Sequence, residues 1–215
     1  MSFSFGRLLP SCLVMASLLA FEAVGKPSSW KKIKSEKGVE VFEKKMEGGL
    51  AFRGIGEIKG SPAKLVAILQ NPKRWKHWID RFASGRVLRD KSPFVKIYYQ
   101  SFKSPFPVED RDLVFESKTS RDPESGDVIV SMRSVKHPDS PRTVGVRVNL
   151  RFASYRMETI AKDRMRVTFE TFSDPGGAIP GFLTDWAARA YPITLFEGLR
   201  KEMARPGQKE APLPR

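Results

Sequence analysis

Reactive side chains are scarce in this 215-residue chain, which has one cysteine and two histidines. The single cysteine, Cys12, allows no disulfide within the chain and no pair of thiolate metal ligands. His77 and His137 stand alone, without the spacing of a metal site, and the sequence has neither a Gly-x-Ser-x-Gly nucleophile motif nor a phosphate-cradling loop. We therefore predict a protein without a metal, a cofactor or a catalytic residue.

A hydrophobic run long enough to span a membrane is also missing at the N-terminus. The apolar run over residues 8–21 has 14 residues, whereas a spanning helix needs about 20. Arg7 precedes this run and the small residues of Ala23-Val24-Gly25 follow it, which is the pattern of a secretory signal peptide. We predict a cleaved signal peptide over residues 1–25, with an uncleaved N-terminal anchor as the alternative. The mature chain then has no cysteine and is exported, to the periplasm in a Gram-negative host and otherwise as a secreted protein.

Acidic residues are outnumbered by basic residues, 24 against 38, and the net charge is +14. A charge of this size favours an anionic partner, either a nucleic acid or a membrane surface. The basic residues are spread along the chain and are not clustered with aromatic residues; the densest groups are Lys31-Lys32 and Lys73-Arg74. Because export also argues against nucleic acid, we predict peripheral contact with an anionic membrane surface and no nucleic-acid partner.

What the chain does contain is a long amphipathic segment near its C-terminus. A turn over residues 173–180 precedes it, and Pro180 suits the first turn of a helix. Pro192 lies within the segment and predicts a kink. A helix with so broad an apolar face needs a broad apolar partner, and a curved antiparallel sheet would supply one. The residues that share this face recur every three or four positions: Phe182, Trp186, Ala190, Ile193, Phe196, Leu199 and Met203.

The segments before this helix predict strands with a helical insertion. Residues 26–37 predict a short helix or an arm, and two strands follow, at residues 39–43 and 51–58. Gly54 and Gly56 in the second strand predict a bend or a close neighbour. Two helices come next, one opened by Ser61-Pro62 and one over residues 73–82. About six strands with period-two alternation complete the pattern, at residues 87–89, 95–102, 112–117, 127–133, 143–152 and 164–170.

The clearest of these strands covers residues 143–152, where apolar and polar side chains alternate. Its polar side, which includes Arg147 and Arg151, is expected to face solvent. Periodicity does not distinguish side chains that line a cavity from side chains that fill a core, so both remain open for Val144, Val146, Val148 and Leu150. The order of elements indicates one α+β domain over residues 26–204, followed by a disordered tail over residues 205–215.

Three segments of the chain resemble the StAR-related lipid-transfer (START) domain family. Residues 104–114 are similar to its Pro-Phe-Pro…Arg-Asp segment between two central strands. Residues 174–180 with Trp186-Ala187 are similar to its loop and the start of its C-terminal helix, and Trp78 matches the tryptophan of its second short helix. The resemblance implies an exported bacterial member of the family with a helix-grip fold. In that fold a curved antiparallel β-sheet wraps around a long C-terminal α-helix and leaves an internal hydrophobic tunnel.

The resemblance implies a lipid in this tunnel and a segment that opens to admit it. Adjacent glycines and a proline kink give such a gate its freedom, and the candidate gate residues are Gly176, Gly177, Pro180 and Pro192. The candidate lipid-binding residues are Arg74, Trp78, Tyr98, Tyr99, Arg111, Ser117, Phe182 and Trp186.

The head-group signatures of the family do not transfer to this chain. Phospholipid-binding relatives place an arginine three residues before the tryptophan of the second helix, where this chain has Trp75, with Arg74 one residue away. Some sterol-binding relatives carry an acid–base pair where this chain has Tyr98 and Ser117. The resemblance therefore leaves the lipid class open, although Tyr98, Tyr99 and Ser117 would bond a ligand hydroxyl if they point inward.

Arg111 lies between Asp110 and Asp112 at the start of a predicted strand. It is either a paired arginine that fixes the turn or a contact for a polar lipid head.

The sequence and the resemblance together predict the function of the protein. We expect a monomer, not an enzyme, that binds a lipid or another hydrophobic small molecule and carries or senses it at membranes. The alternative is a helix-grip enzyme of cyclase or hydrolase type that acts on a hydrophobic substrate.

Overall fold

The structure, a computed structural model, describes residues 29–174, 176 and 181–215, and for residues 181–188 it describes the backbone alone. The predicted signal peptide over residues 1–25 lies outside the described residues, as do the predicted gate residues Gly177 and Pro180. The side chains of Phe182 and Trp186, which we predicted to bind lipid, also lie outside them.

A ten-stranded sheet forms most of the described domain. Its order is β1-β2-β3-β10-β9-β7-β6-β5-β4, with β8 beside β6. The pairs in this order are antiparallel, whereas β8 runs parallel to β6. In chain order the strands are β1 (Lys31–Glu36), β2 (Val39–Met46), β3 (Gly49–Lys59), β4 (Phe82–Ser92), β5 (Val95–Phe102), β6 (Arg111–Arg121), β7 (Val128–Ser134), β8 (Val146–Arg147), β9 (Asn149–Ala161) and β10 (Arg164–Asp174).

The helices described by the structure are α1 (Pro62–Leu69), α2 (Pro72–Trp75) and α3 (Gly181–Met203). The first begins as predicted, since the Ser61 side chain accepts a hydrogen bond from the Lys64 backbone N–H at 3.2 Å and Pro62 is the first helical residue. None of the helices in the described part of the chain is long and apolar enough to cross a membrane. Strands and helices together confirm the predicted α+β helix-grip fold.

Helix α3 lies close against β3 because two glycines of that strand leave room for it. A Cβ atom on Gly54 would lie 3.1 Å from Cε2 of Phe196, and one on Gly56 would lie 3.0 Å from the same ring. The close neighbour predicted from these glycines is therefore the C-terminal helix itself. The predicted apolar face of the helix is confirmed where side chains are described: Ile193, Phe196, Leu199 and Met203 are all buried.

Arg200 ties the same helix to the backbone of the sheet. Its guanidinium donates to the carbonyl oxygens of Lys37 at 2.6 Å, Gly38 at 3.0 Å and Glu57 at 3.0 Å. These carbonyls belong to the β1–β2 turn and to β3, so one side chain fixes the helix to two places in the sheet.

Two predicted elements differ from the structure near the N-terminal half. Residues 31–36 form edge strand β1 instead of a helix or an arm, because their lysines pair with glutamates across β2; Lys31 lies opposite Glu43, for example, and Lys32 bonds Glu40. The helix predicted over residues 73–82 is one turn, Pro72–Trp75, because the chain enters β4 at Phe82.

The strand predicted over residues 143–152 is interrupted. Val146–Arg147 pairs with β6, and β9 begins at Asn149. The cause is Asp112, whose fully buried carboxylate binds the Arg147 guanidinium and accepts the Val144 backbone N–H at 3.0 Å. As a result the Arg147 side chain is only 34% exposed and faces solvent less than predicted, whereas the Val144 side chain is 50% exposed.

The tail over residues 205–215 has no helix or strand beyond a turn, but it contacts the domain. The backbone N–H of Ala211 donates to the Ala63 carbonyl at 3.0 Å, and Leu213 packs against the core. The Pro214 carbonyl accepts from Arg121 Nε at 3.0 Å. The tail is therefore not disordered as predicted, because its apolar residues pack against the surface of the domain.

Candidate functional site

A cavity of about 600 Å³ lies between the sheet and α3. Its wall draws side chains from β3, β5, β6, β7, β9 and β10, from the segment around α2, and from Tyr191 and Pro192 of α3. This volume is within the range of small-molecule sites. The curved sheet leaves the space because inward side chains at its centre do not reach the helix.

The alternation of side chains along each strand decides which residues reach the cavity. On β5, Tyr98, Gln100 and Phe102 line it, while Tyr99 and Ser101 point to the other side of the sheet. On β6, Leu113, Phe115 and Ser117 line it in the same way. The lining is therefore set by two neighbouring strands in register, with Tyr98 opposite Phe115 and Gln100 opposite Leu113.

The polar groups on the described part of the wall are uncharged. Among the described residues that line the cavity, none is Asp, Glu, Lys, Arg or His. Burial raises the pKa of Tyr98 and of Tyr155 above the ordinary value, so both hydroxyls stay protonated at physiological pH. The cavity thus presents an apolar surface with isolated hydrogen-bonding groups.

Four predicted residues meet at this cavity: Trp78, Tyr98, Ser117 and Pro192. Tyr98 Oη donates to the Gln70 carbonyl at 3.3 Å, so part of its hydrogen-bonding capacity is already used. The indole N–H of Trp78 is buried and has no hydrogen-bond partner. Ser117 has no described partner for its hydroxyl.

Arg74 does not line the cavity, contrary to prediction. Its guanidinium forms two hydrogen bonds with Glu202, at 2.8 Å and 3.2 Å, on the outer side of the segment that carries α2. Glu202 is 1% exposed, so its carboxylate needs this partner. Trp75 fills the place beside the cavity instead, with its indole N–H donating to the Leu69 carbonyl at 2.9 Å.

Tyr99 also lies away from the cavity, in a small cluster with Ile97 and Val114 on the other face of the sheet. Its hydroxyl donates to the buried Asp112 carboxylate at 3.3 Å. Since adjacent residues of a strand point to opposite faces, Tyr98 and Tyr99 could not both reach the same ligand.

Arg111 holds two loops together without pairing to either adjacent aspartate. Its guanidinium donates to the Glu109 carbonyl and, at 3.4 Å, to the Gly176 carbonyl, while Asp110 binds Lys103. Its Nε atom is buried without a partner. Of the two readings left open by the sequence, the structure favours an arginine that fixes the turn, and it links this turn to the predicted gate at Gly176.

Three exposed apolar side chains lie in chain segments next to residues that line the cavity, and we call Met46, Phe106 and Val144 the apolar rim. The Phe106 side chain is 97% exposed and Met46 is 36% exposed. The segments that carry Phe106 and Val144 adjoin each other: the Gly145 Cα lies so close to the 109–110 backbone that an added Cβ would be 2.4 Å from the Asp110 carbonyl oxygen. The hairpin after Met46 meets the end of β10, where a Cβ on Gly49 would lie 3.4 Å from Phe172.

Sequence reasoning missed Gly48, Gly49 and Gln100 as lining residues. Gly48 and Gly49 are exposed yet line the cavity, so the β2–β3 hairpin borders its opening. The paired glycines were visible as a turn, and Gln100 was visible as the polar residue among the aromatic residues of β5. Only the register of β5 with β6 shows that Gln100 points inward.

A curved antiparallel sheet closed by a C-terminal helix over an apolar cavity defines a helix-grip protein. The family model of the START domain matches residues 16–210 of this chain, and the chain belongs to that family.

Relatives and solved structures agree with this assignment. The chain is 27% identical over 168 residues to the phosphatidylcholine transfer protein of Mus musculus, covering 75% of this chain and 78% of that protein. It is 26% identical over 173 residues to an uncharacterized protein of Pseudomonas aeruginosa, covering 80% and 85%. The fold is similar to that of human STARD10, with a TM-score of 0.71 and 21% identity over 81% of this chain and 72% of that one. It is equally similar to a STAR-related lipid transfer protein of Xanthomonas axonopodis, with a TM-score of 0.71 and 23% identity over 82% and 99%.

Proposed function

We propose that this protein binds a lipid or another hydrophobic small molecule in its cavity and carries it between membranes without chemical change. The observation that carries the proposal is the apolar cavity of about 600 Å³ under α3. Each methylene group that enters it from water contributes about 0.8 kcal/mol. Relatives whose names describe phosphatidylcholine transfer support the same function.

A carrier without catalysis is supported by the chemistry of the wall. The described lining residues include no carboxylate, imidazole, amine or thiol that could act as a base or a nucleophile. No group of metal-binding side chains occurs among the described residues. A turnover assay with candidate esters would contradict the proposal if product accumulated beyond one equivalent of protein.

The ligand itself is tested by purification from the native host, followed by mass spectrometry of whatever remains bound. We expect a hydrophobic small molecule in near-stoichiometric amount, and we expect transfer of a labelled lipid between vesicles. Absence of both a bound molecule and transfer would overturn the proposal.

The apolar rim supports a docking surface for a lipid bilayer at the cavity opening. Each rim side chain has a cation close by in sequence: Lys45 beside Met46, Lys103 near Phe106, and Arg142 near Val144. A cation near an anionic surface contributes about 1 kcal/mol. Because Glu47 and Glu109 lie in the same loops, we propose that docking depends on insertion of the apolar side chains more than on charge.

This docking is tested with an environment-sensitive fluorophore attached at a Phe106→Cys variant in a Cys12→Ser background. We expect a blue shift when anionic vesicles are added. The matched control is Val87→Cys, an exposed apolar position 40% accessible in the middle of strand β4. Equal shifts at both positions, or no shift at position 106, would contradict docking through the rim.

We also propose that the protein acts outside the cytoplasm after cleavage at residue 25. The support is the sequence pattern of residues 1–25, with its short apolar run between Arg7 and small residues. N-terminal sequencing of the protein recovered from its host would test the cleavage, and a protein that retains Met1 in the cytoplasm would exclude export.

A further inference from the structure

The described part of the cavity wall has no positive charge to neutralise a phosphate. None of the described lining residues is Lys, Arg or His. The neighbouring positions whose side chains are not described, 175 and 177–188, contain none of these residue types either. A buried anion without a paired cation is strongly disfavoured, and these residues offer a buried phosphate no counter-charge from the protein.

Three arginines on elements next to the wall are bonded to groups of the protein. Arg74 is held by Glu202, and Arg147 is held by the buried carboxylate of Asp112. Arg111 donates to the carbonyls of Glu109 and Gly176, while its Nε atom is buried without a partner. Trp75, not an arginine, stands at the wall three residues before Trp78.

Several neutral polar groups at the wall, in contrast, have no partner among the described residues, and two of them are the Gln100 amide and the Trp78 indole N–H. The Gln100 residue is 8% exposed and lines the cavity between Tyr98 and Phe102, and no described residue bonds its amide. The Trp78 indole N–H is buried and unpaired. Buried polar groups are almost always hydrogen-bonded, and a glutamine amide offers both donors and an acceptor. A hydroxyl or an ester carbonyl of a ligand would satisfy the Gln100 amide, which faces the cavity.

The size of the cavity is consistent with such a ligand. A volume of about 600 Å³ has room for one acyl chain with a small neutral head.

We propose that the cavity selects an uncharged, single-chain lipid with a hydroxyl or ester group over phosphate-bearing lipids, and that Gln100 is the residue that determines this specificity. The inference rests on the proposed function, because it presumes a lipid in the cavity. It differs from what the names of the phosphatidylcholine-transferring relatives suggest.

In the test, the full protein is mixed with vesicles that contain equal amounts of a monoacylglycerol, phosphatidylcholine and phosphatidylglycerol. The lipid recovered with the protein is then quantified. We expect at least a tenfold enrichment of the monoacylglycerol, which corresponds to the strength of about one additional hydrogen bond. Gln100→Leu keeps a similar volume and removes the amide, so it should lower this enrichment about tenfold while leaving the uptake of an alkylated pyrene without polar groups unchanged.

The matched control is Gln70→Leu, which makes the same substitution at a side chain that bonds the Pro93 carbonyl outside the cavity. It should keep the preference of the unmodified protein. Recovery of either phospholipid at or above the level of the monoacylglycerol would overturn the inference and leave the proposed function standing. An unchanged preference in Gln100→Leu would overturn the role of Gln100. Failure to take up any lipid, and the pyrene as well, would remove the proposed function itself.

Discussion

Glu202 is a carboxylate that the fold buries almost completely, and its partners decide its charge. Burial alone raises the pKa of Glu202, but hydrogen bonds from Arg74 and Gln208 and the charges of Arg74 and Arg205 outweigh it and hold the pKa below its ordinary value. A carboxyl whose pKa is lowered in the folded state adds stability above its unfolded pKa, and this stability is lost as pH falls through the folded pKa.

We predict that Glu202→Gln lowers the free energy of unfolding by about 3 kcal/mol at neutral pH, because it leaves Arg74 and Arg205 without their buried counter-charge. The difference from the unmodified protein should shrink as pH falls below the ordinary glutamate pKa of 4.5. Urea unfolding at pH 7 and at about pH 3 measures both effects. Glu197→Gln, on the same helix but exposed and paired with Lys37 at the surface, should cost less than about 1 kcal/mol. A constant difference across this pH range would contradict the assigned role of the Glu202 charge.

At the scale of residues, the sequence predicts what depends on local spacing. Period two along β5 is enough to place Tyr98 and Tyr99 on opposite faces, and the resemblance brought Trp78 to the cavity. The prediction that Arg74 reaches the cavity was wrong, because its partner Glu202 lies 128 residues away in the sequence, at the end of α3. No local pattern reports such a contact.

Helix α3 and the segment around α2 meet through a glycine. A Cβ atom on Gly198 would lie 2.2 Å from the Trp78 carbonyl oxygen and 3.0 Å from its carbonyl carbon. Both are backbone atoms, so a small rotamer change does not relieve the overlap. The helix needs this glycine because the backbone that positions Trp78 against the cavity passes so close.

We predict that Gly198→Ala lowers the free energy of unfolding by about 2 kcal/mol, because the overlap outweighs the roughly 1 kcal/mol that alanine gains in a helix. It should also weaken lipid uptake, since Trp78 lines the cavity. Thermal unfolding and the vesicle-recovery assay measure the two effects. The control is Glu197→Ala, an exposed neighbour on α3, which gains helix propensity without a clash. Equal stability of both variants would show that the helix moves aside at little cost.

A second prediction at the scale of elements concerns Arg200, which bonds three backbone carbonyls. The single ammonium of Arg200→Lys does not span three acceptors, so we expect a loss of about 1 to 2 kcal/mol in chemical unfolding. Arg166→Lys, a surface arginine that pairs with Glu158, is the control and should change stability by less than about 0.5 kcal/mol. Similar losses for both variants would contradict a specific role for the guanidinium fork.

The sequence predicts strands and helices correctly where one hydrophobic face is buried. The prediction fails where another interaction determines the structure. The bounds of β5 match the prediction, and β10 alternates as expected, with Met165, Val167 and Phe169 buried. Strand β1 was not predicted because charge pairs across an edge, not a hydrophobic pattern, hold it in place. Residues 143–152 alternate well, yet the buried Asp112 bends the chain toward β6 and breaks the strand.

The shape of the whole molecule is the part that sequence patterns describe least. Alternation identified the inward side chains but did not distinguish a filled core from a cavity, because that depends on how far the sheet curves from α3. Val148 and Leu150 line the cavity, whereas Val167 and Met165 of β10 do not line it and are fully buried in the core cluster. The cavity was predicted from the resemblance to the START family, whereas the alternation of residues alone left both a cavity and a filled core open.

If the cavity is where the ligand lies, filling it should separate binding from stability. Ala153 on β9 lines the wall opposite α3 and carries the smallest side chain there apart from glycine, so Ala153→Phe would place a ring in the space that the ligand needs. We predict that this variant folds and is at least as stable as the ligand-free protein, because the added ring buries apolar surface in an existing cavity.

A ligand at one hundred times its dissociation constant should stabilise the unmodified protein by about 2.7 kcal/mol. This corresponds to a shift of about 5 to 10 °C in the unfolding temperature for a domain of this size. Ala153→Phe should show almost none of this shift, while Ala161→Phe, the same change at an exposed end of β9, should keep it. Should the filled variant respond to ligand as strongly as the unmodified protein, the guest must bind somewhere other than the space between the sheet and the helix.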